Sequence, residues 1–244
     1  NYGSHGKGVS INLRNPQEVL EAFKIVREYE DTVLVEKYIK GSYYRVLVVG
    51  DEVVAASHRI SAHVTGDGAS TLRELIKREN SNPMRGEGHE KPLTKIIIDK
   101  VVEQYLKKRN LYLEDIPSAG EIVYLRENDN LSTGGVAIDV TDEVHDQNRK
   151  LIAQAARIIG LDVAGVDICA VDISKPLTET GGAVIEINAA PGIRMHHYPY
   201  RGSSRNVAGA IVNMLFPEGS KSRIPIVSVT GTNGKTTTSR MIAH

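Results

Sequence analysis

A short apolar run at residues 226–229 leads straight into Gly231-Thr232-Asn233-Gly234-Lys235-Thr236-Thr237-Thr238, with helix-forming sequence beyond it. This order of strand, glycine loop and helix is the most restrictive feature of the chain, because it serves one kind of ligand well. Glycines let backbone N–H groups converge on phosphate oxygens, and a helix N-terminus adds positive potential. Lys235 can neutralise the terminal phosphates and Thr236 can ligate Mg²⁺. The spacing is Gly-x-x-Gly-Lys-Thr, and Val229 stands where the general phosphate loop has its first glycine.

Ahead of this loop, Pro217-Glu218-Gly219-Ser220-Lys221-Ser222 reads as a linker. The expected organisation is one domain over residues 1–216, a linker over 217–224 and the start of a second domain over 225–244. The chain opens inside a glycine-rich loop without an initiator Met and stops one or two turns into a helix, so the sequence reads as a piece of a longer protein. Lys and Arg number 30, Asp and Glu 30, so no global field draws the chain to nucleic acid or to an anionic membrane. No apolar run approaches the roughly 20 residues needed to cross a bilayer, and a cytoplasmic protein is expected. The single cysteine, Cys169, has no internal disulfide partner and sits in an apolar run as core filler.

Local signals divide the first domain. Asn15-Pro16-Gln17-Glu18 is a helix start ahead of Val19, Ala22, Phe23 and Val26. Residues 33–39, 43–49 and 53–57 read as strands, the last two joined by a turn at Gly50-Asp51. Helices are predicted over 72–78, 94–108 and 147–159, the last closed by Gly160, with a loop over 82–92. Strands at 163–173 and 183–189 are predicted to pair antiparallel, and 206–215 is a further helix.

That strand pair carries the second constellation. Residues two apart on a strand face the same side, so Glu186 and Asn188 point together, and an antiparallel neighbour can bring Asp167 opposite them. Three hard oxygen donors suit Mg²⁺. Spacing alone equally allows three solvated polar residues at strand ends.

Several segments resemble known families. Val229 to Thr238 resembles the nucleotide loop of Mur ligases. Asp167 followed by Glu186-Ile187-Asn188-Ala189-Ala190-Pro191-Gly192 resembles the metal-binding strands of ATP-grasp ligases such as D-alanine–D-alanine ligase. Gly3-Ser4-His5-Gly6-Lys7-Gly8 resembles the flexible phosphate loop of that family, and Val35-Glu36-Lys37-Tyr38-Ile39 its adenine hinge. Ser42 and Tyr43 stand where an acidic ribose ligand is usual. Tyr44-Arg45-Val46-Leu47-Val48-Val49, Ala62 to Gly68, Asn130-Leu131-Ser132-Thr133-Gly134-Gly135 and Gly192-Ile193-Arg194-Met195-His196 are similar to the cyanophycin synthetases, a family that places an ATP-grasp domain before a Mur-like domain.

The resemblance implies an α+β ATP-grasp fold of antiparallel sheets and helices, followed by the first strand and phosphate loop of an α/β Mur-type domain. It implies ATP and Mg²⁺ as cofactors and a peptide ligase that activates a C-terminal carboxylate as an acyl phosphate for attack by the amine of aspartate. Arginine would be added by the Mur-like domain. The substrates would be aspartate, arginine and a peptide polymer primer, with no nucleic acid or membrane partner and a homo-oligomeric assembly. By the same resemblance Ser4, Gly6, Lys7, Gly8, Glu36, Lys37 and Ile39 bind ATP, and Asp167, Glu186 and Asn188 bind the metal. His5, Arg45, Arg126 and Arg194 would act in catalysis, and Ser132, Thr133, Gly134, Arg194 and His196 would touch substrate. Gly231, Thr232, Asn233, Gly234, Lys235, Thr236 and Thr237 would bind a second ATP. Taken singly, Arg45, Arg59, Arg126 and Arg194 also suit solvated or ion-paired roles, and His58 and His63 suit strand edges. Two alternatives stay open: another ATP-grasp ligase with a glutathione-like or short-peptide product, and an ATP-binding regulatory module without chemistry.

Overall fold

The computed structural model describes residues 10, 13–28, 31–88, 90–220 and 226–243. Helix α1 (Pro16–Arg27) starts where the Asn15 side chain accepts a hydrogen bond from the Glu18 amide at 2.9 Å, with proline in the first turn. Strands β1 (Ser42–Val49) and β2 (Glu52–Ile60) form a hairpin that turns at Gly50, whose φ of 60° suits a residue without Cβ. An inserted lobe follows, made of β3 (His63–Thr65), α2 (Leu72–Asn80), β4 (Arg85–Gly86), β5 (Leu93–Thr94), α3 (Lys100–Lys107) and β6 (Ile122–Tyr124). The chain then returns through β7 (Val136–Asp139), α4 (Asp146–Ile159), β8 (Val163–Ala170), α5 (Leu177–Thr180) and β9 (Ala183–Asn188). Helices α6 (Arg194–His197), α7 (Val207–Leu215) and α8 (Lys235–Ala243) complete it.

The main sheet has the order β7-β2-β1-β8-β9, and its neighbours pair antiparallel. Period-two alternation gives it two unlike faces. One presents Val46, Val48, Val166 and Ile168, which pack with Ile152 and Ala156 of α4. On the other, Leu47, Val49 and Ala55 lie beneath Val207 of α7, and the polar residues beyond that helix form the site described below. Ile152 is fully buried, so Ile152→Ala is expected to cost about 3 kcal/mol by lost transfer energy plus a cavity, read as a lowered urea midpoint.

The lobe has its own core, including Leu72, Ile76, Val102 and Leu125. A capping box between Thr71 and Glu74 starts α2. Arg85, 3% exposed, ties the lobe to the turn before β7 by donating to the Gly134 carbonyl at 3.2 Å, and within the lobe it donates to Glu79 at 3.0 Å. Gly160 ends α4 in the left-handed region at φ 79°.

Three local predictions need correction. Residues 33–39 form no strand, although their composition favours one, because no neighbour among the described residues pairs with them. The helix predicted over 94–108 shrinks to α3. Thr94 belongs to β5, and Asp99 caps the helix by accepting from Val101 and Val102 amides at 3.0 and 3.1 Å. Residues 226–229 are likewise unpaired, with Ile226 87% exposed. Among the described residues no helix is long and apolar enough to cross a membrane.

Candidate active site

The register of the sheet assembles the site. Arg45 of β1 lies opposite Ser57 of β2 on one side and Asp167 of β8 on the other, and Asp167 lies opposite Glu186 of β9. Directly opposed residues share a face, so Ser57, Arg45, Asp167 and Glu186 form one row across four strands. The flanking valines and isoleucines take the opposite face into the core under α4, which leaves this row directed away from it. A bulge in β9 places Val184 opposite Ile168 and Glu186 opposite Asp167, with Ile185 as the extra residue. Asn188, two residues on, pairs with Gly165, and its side-chain amide donates to the Gly165 carbonyl at 3.3 Å. Two residues from Glu186 on β9, Asn188 shares the face of the carboxylate row.

Asp167 is held between two cations. Arg45 donates through Nε to Oδ1 at 2.5 Å and through Nη2 to Oδ2 at 3.0 Å, the two-point match of guanidinium and carboxylate. Arg59 brings Nη1 to 3.5 Å from both oxygens. Arg59 is itself gripped by Asp129, through Nε at 2.7 Å and Nη2 at 3.0 Å. Gly165 makes room for this arrangement. A Cβ there would stand 2.5 Å from Pro191 Cβ and 3.3 Å from Arg45 Cδ and Nη1.

The donor set suits Mg²⁺. Two opposed carboxylates and an amide oxygen on one face are hard ligands for a hard ion. Among the described residues no three His, Cys, Asp or Glu side chains gather, so the set depends on Asn188 to complete it. Binding would require Asp167 to exchange Arg45 for the ion.

Of the hinge residues, Glu36 and Lys37 are exposed, while the Ile39 carbonyl accepts from Cys169 Sγ at 3.3 Å. Cys169 is two residues from Asp167 on the same strand face, so this end of the hinge segment reaches the carboxylate side of the sheet. Burial pushes the Cys169 thiol up, which keeps it protonated and inert. Ser4, His5, Gly6, Lys7 and Gly8 lie outside the described residues.

The substrate candidates divide. Leu131–Thr133 is a single 3₁₀ turn ended by Gly134 at φ 98°, and Ser132 is exposed on it. Thr133 Oγ1 donates to the Asn130 carbonyl at 2.9 Å. Arg194 opens α6 and donates to the Lys91 carbonyl at 2.8 Å, beside a cleft lined by Leu93, Thr94, Leu131, Gly135 and Met195. His196 departs from expectation. It is 2% exposed and its Nδ1 shares a hydrogen bond of 3.0 Å with Ser57 Oγ, so in this conformation it cannot touch a substrate. Burial, assisted by the Arg45 charge, lowers its pKa to about 4, and the ring is neutral at pH 7. Arg126 also has another task. It is 6% exposed and donates through Nη2 to Asp99 at 2.7 Å and to the Ile97 carbonyl at 3.3 Å, which anchors the start of α3.

In the second loop, Gly231 and Gly234 take φ of 143° and 78°, and Lys235 begins α8. Lys235 Nζ donates to the Gly231 carbonyl at 2.6 Å, and Thr232, Asn233, Thr236 and Thr237 are exposed around it. Sequence reasoning did not reach the Arg59–Asp129 pair, the Ser57–His196 pair or the clearance at Gly165. The first two join residues 70 and 139 apart, and no local pattern announces them.

Residues 124–215 match the RimK-like ATP-grasp domain. Cyanophycin synthetases of Synechocystis sp. and Trichormus variabilis are each 50% identical over 99% of this chain. The chain spans 28% and 27% of their lengths. The crystal structure of a bifunctional glutathione synthetase from Pasteurella multocida superposes with a TM-score of 0.71 at 37% identity, covering 88% of this chain and 29% of that one. The chain therefore has an α+β ATP-grasp fold, is similar to RimK-like ATP-grasp domains over residues 124–215, and is similar to the cyanophycin synthetases over 99% of its length.

Proposed function

We propose that the face bearing Arg45, Asp167, Glu186 and Asn188 binds Mg-ATP and activates the C-terminal carboxylate of a peptide chain. The observation that carries this reading is Asp167 directly opposite Glu186, with Asn188 on the same face and a paired arginine alongside. Similarity to the cyanophycin synthetases supports the choice of substrates.

In the first step a carboxylate oxygen forms a bond to the γ-phosphorus of ATP, and the bond to the bridging oxygen breaks with its electron pair leaving on ADP. In the second, the aspartate amine forms a C–N bond to the acyl carbon, phosphate departs with the C–O electron pair, and the amine proton passes to solvent. Mg²⁺, when bound, offsets phosphate charge. Asp167, Glu186 and Asn188 would hold it. Arg45, released from Asp167, donates to the oxyanion that follows amine attack, and Arg194 and the Ser132–Gly134 turn orient the peptide end. In the loop before α8, Lys235 and the surrounding amides would bind a second ATP for addition of arginine by a Mur-like domain beginning near residue 225.

The test is ADP release by the full-length protein with ATP, aspartate, arginine and a peptide primer. Turnover should require aspartate and primer, and Glu186→Gln should lower it by about a thousandfold through loss of a metal ligand. Absence of aspartate- or primer-dependent turnover overturns the reading. A ligase with a glutathione-like product is the second reading, favoured by the 37% identity to the bifunctional glutathione synthetase. Mass spectrometry separates the two by the presence or absence of alternating aspartate and arginine.

A further inference from the structure

We infer that Arg85 is a positioning residue, its buried guanidinium fixing the Ser132–Gly134 turn against residues 91–94 of the lobe so that the cleft between them is shaped for a peptide end. The inference rests on the ligase reading above.

The turn ends on two glycines, so no side chain there can hold it in place. A Cβ on Gly134, at φ 98°, would stand 2.7 Å from Ile96 Cγ1, and one on Gly135 would stand 2.9 Å from the carbonyl oxygens of Asn130 and Ile60. The peptide unit between two glycines turns freely unless both of its polar groups are bonded. Both are bonded here. The Gly135 amide donates to the Asn130 carbonyl at 3.3 Å, and the Gly134 carbonyl accepts from Arg85 Nη1 at 3.2 Å.

The same nitrogen donates to the Thr94 carbonyl at 2.5 Å, while Nε and Nη2 hold Glu79 Oε1 at 3.1 and 3.0 Å. The Arg85 side chain is 1% exposed, so these bonds form out of reach of water. A role confined to the lobe would need only Glu79 and Thr94, whereas the Gly134 contact spans 49 residues of chain to reach the turn. The planar fork serves Glu79 along one edge and both carbonyls from Nη1, which a point-like ammonium cannot reproduce.

Residues 91–94 have a second fastening. Arg194 donates to the Lys91 carbonyl at 2.8 Å, and Leu93, Thr94, Leu131 and Arg194 line one cleft. The two groups proposed to orient the peptide end therefore bear on one short stretch of the lobe, and Arg85 sets its distance from the turn. A cleft fixed beforehand lowers the ordering cost of binding, so the effect falls on peptide affinity and not on the carboxylate row.

Kinetics and hydrogen exchange on the full-length protein test this. In Arg85→Lys the KM for the peptide primer should rise about tenfold, with kcat and the KM for ATP within about threefold of wild type. Glu79→Gln loosens only the other edge of the guanidinium, and should lower the melting temperature while leaving the primer KM within about twofold. Without substrate, amides of residues 130–135 should exchange about tenfold faster in Arg85→Lys, and those of α3 at wild-type rates. A primer KM within about twofold of wild type, or unchanged exchange over 130–135, overturns the assignment. So does a Glu79→Gln variant whose primer KM rises as far as that of Arg85→Lys, which would mark a loss of lobe stability alone. If Arg85→Lys does not fold, wild type decides: primer should slow exchange over 91–95 and 130–135 together, and protection of only one stretch overturns the inference. If wild type shows no primer-dependent turnover, the substrate reading fails, and the exchange comparison still decides whether Arg85 holds the turn.

Discussion

Replacing Asp167 by Asn is expected to lower ADP release by the full-length protein by about a thousandfold or more, the largest effect of any single change at the site. The size follows from its two duties. Asp167 is one of two carboxylates in the proposed metal set, and it is the counter-ion that Arg45 contacts through two nitrogens. Asparagine keeps the volume and some hydrogen bonding but removes the charge. It leaves Arg45 and Arg59, whose side chains are 12% and 15% exposed, facing a neutral partner. Breaking a fully buried pair costs about 3–5 kcal/mol. Residual solvent access and the retained amide should hold the loss here to about 1–2 kcal/mol. Stability measured alongside turnover tells the duties apart: a modest fall in melting temperature with near-complete loss of ADP release is the expected pattern.

Arg45→Met should behave differently, losing about a hundredfold in turnover while binding Mn²⁺ about tenfold more tightly. Arg45 and a divalent cation compete for the same two oxygens of Asp167, so removing the guanidinium removes the competitor. Two like charges about 4 Å apart near a protein surface repel by a few kcal/mol at most, and a tenfold gain lies within that range. Methionine keeps the packing of the arginine stem against the sheet. Calorimetry with Mn²⁺ reads the gain directly, and weaker binding in the variant would show that Arg45 builds the metal site instead of sharing it.

The carboxylate set was legible in the sequence because a strand has a fixed period of two, so Glu186 and Asn188 had to share a face once β9 formed. The antiparallel partner followed from the short polar connection between β8 and β9. The glycine turns at Gly50 and Gly160 and the cap at Asn15 were legible for the same local reason. What could not be read depended on distant partners. His196 looks like a surface histidine in Gly192-Ile193-Arg194-Met195-His196, yet tertiary packing encloses it against Ser57 on another strand. Arg126 looks available beside Leu125 until Asp99, 27 residues earlier, takes its Nη2. Residues 33–39 and 226–229 have strand composition without a paired neighbour among the described residues, and a ladder needs two strands.

The central claim is that Asp167, Glu186 and Asn188 together hold the metal of the first nucleotide site. Electron paramagnetic resonance of Mn²⁺ with a non-hydrolysable ATP analogue tests it most directly on wild type, Asp167→Asn, Glu186→Gln and Arg45→Met. Binding should be lost or greatly weakened in the two carboxylate variants and strengthened in the arginine variant. Unchanged Mn²⁺ binding in both Asp167→Asn and Glu186→Gln would contradict it.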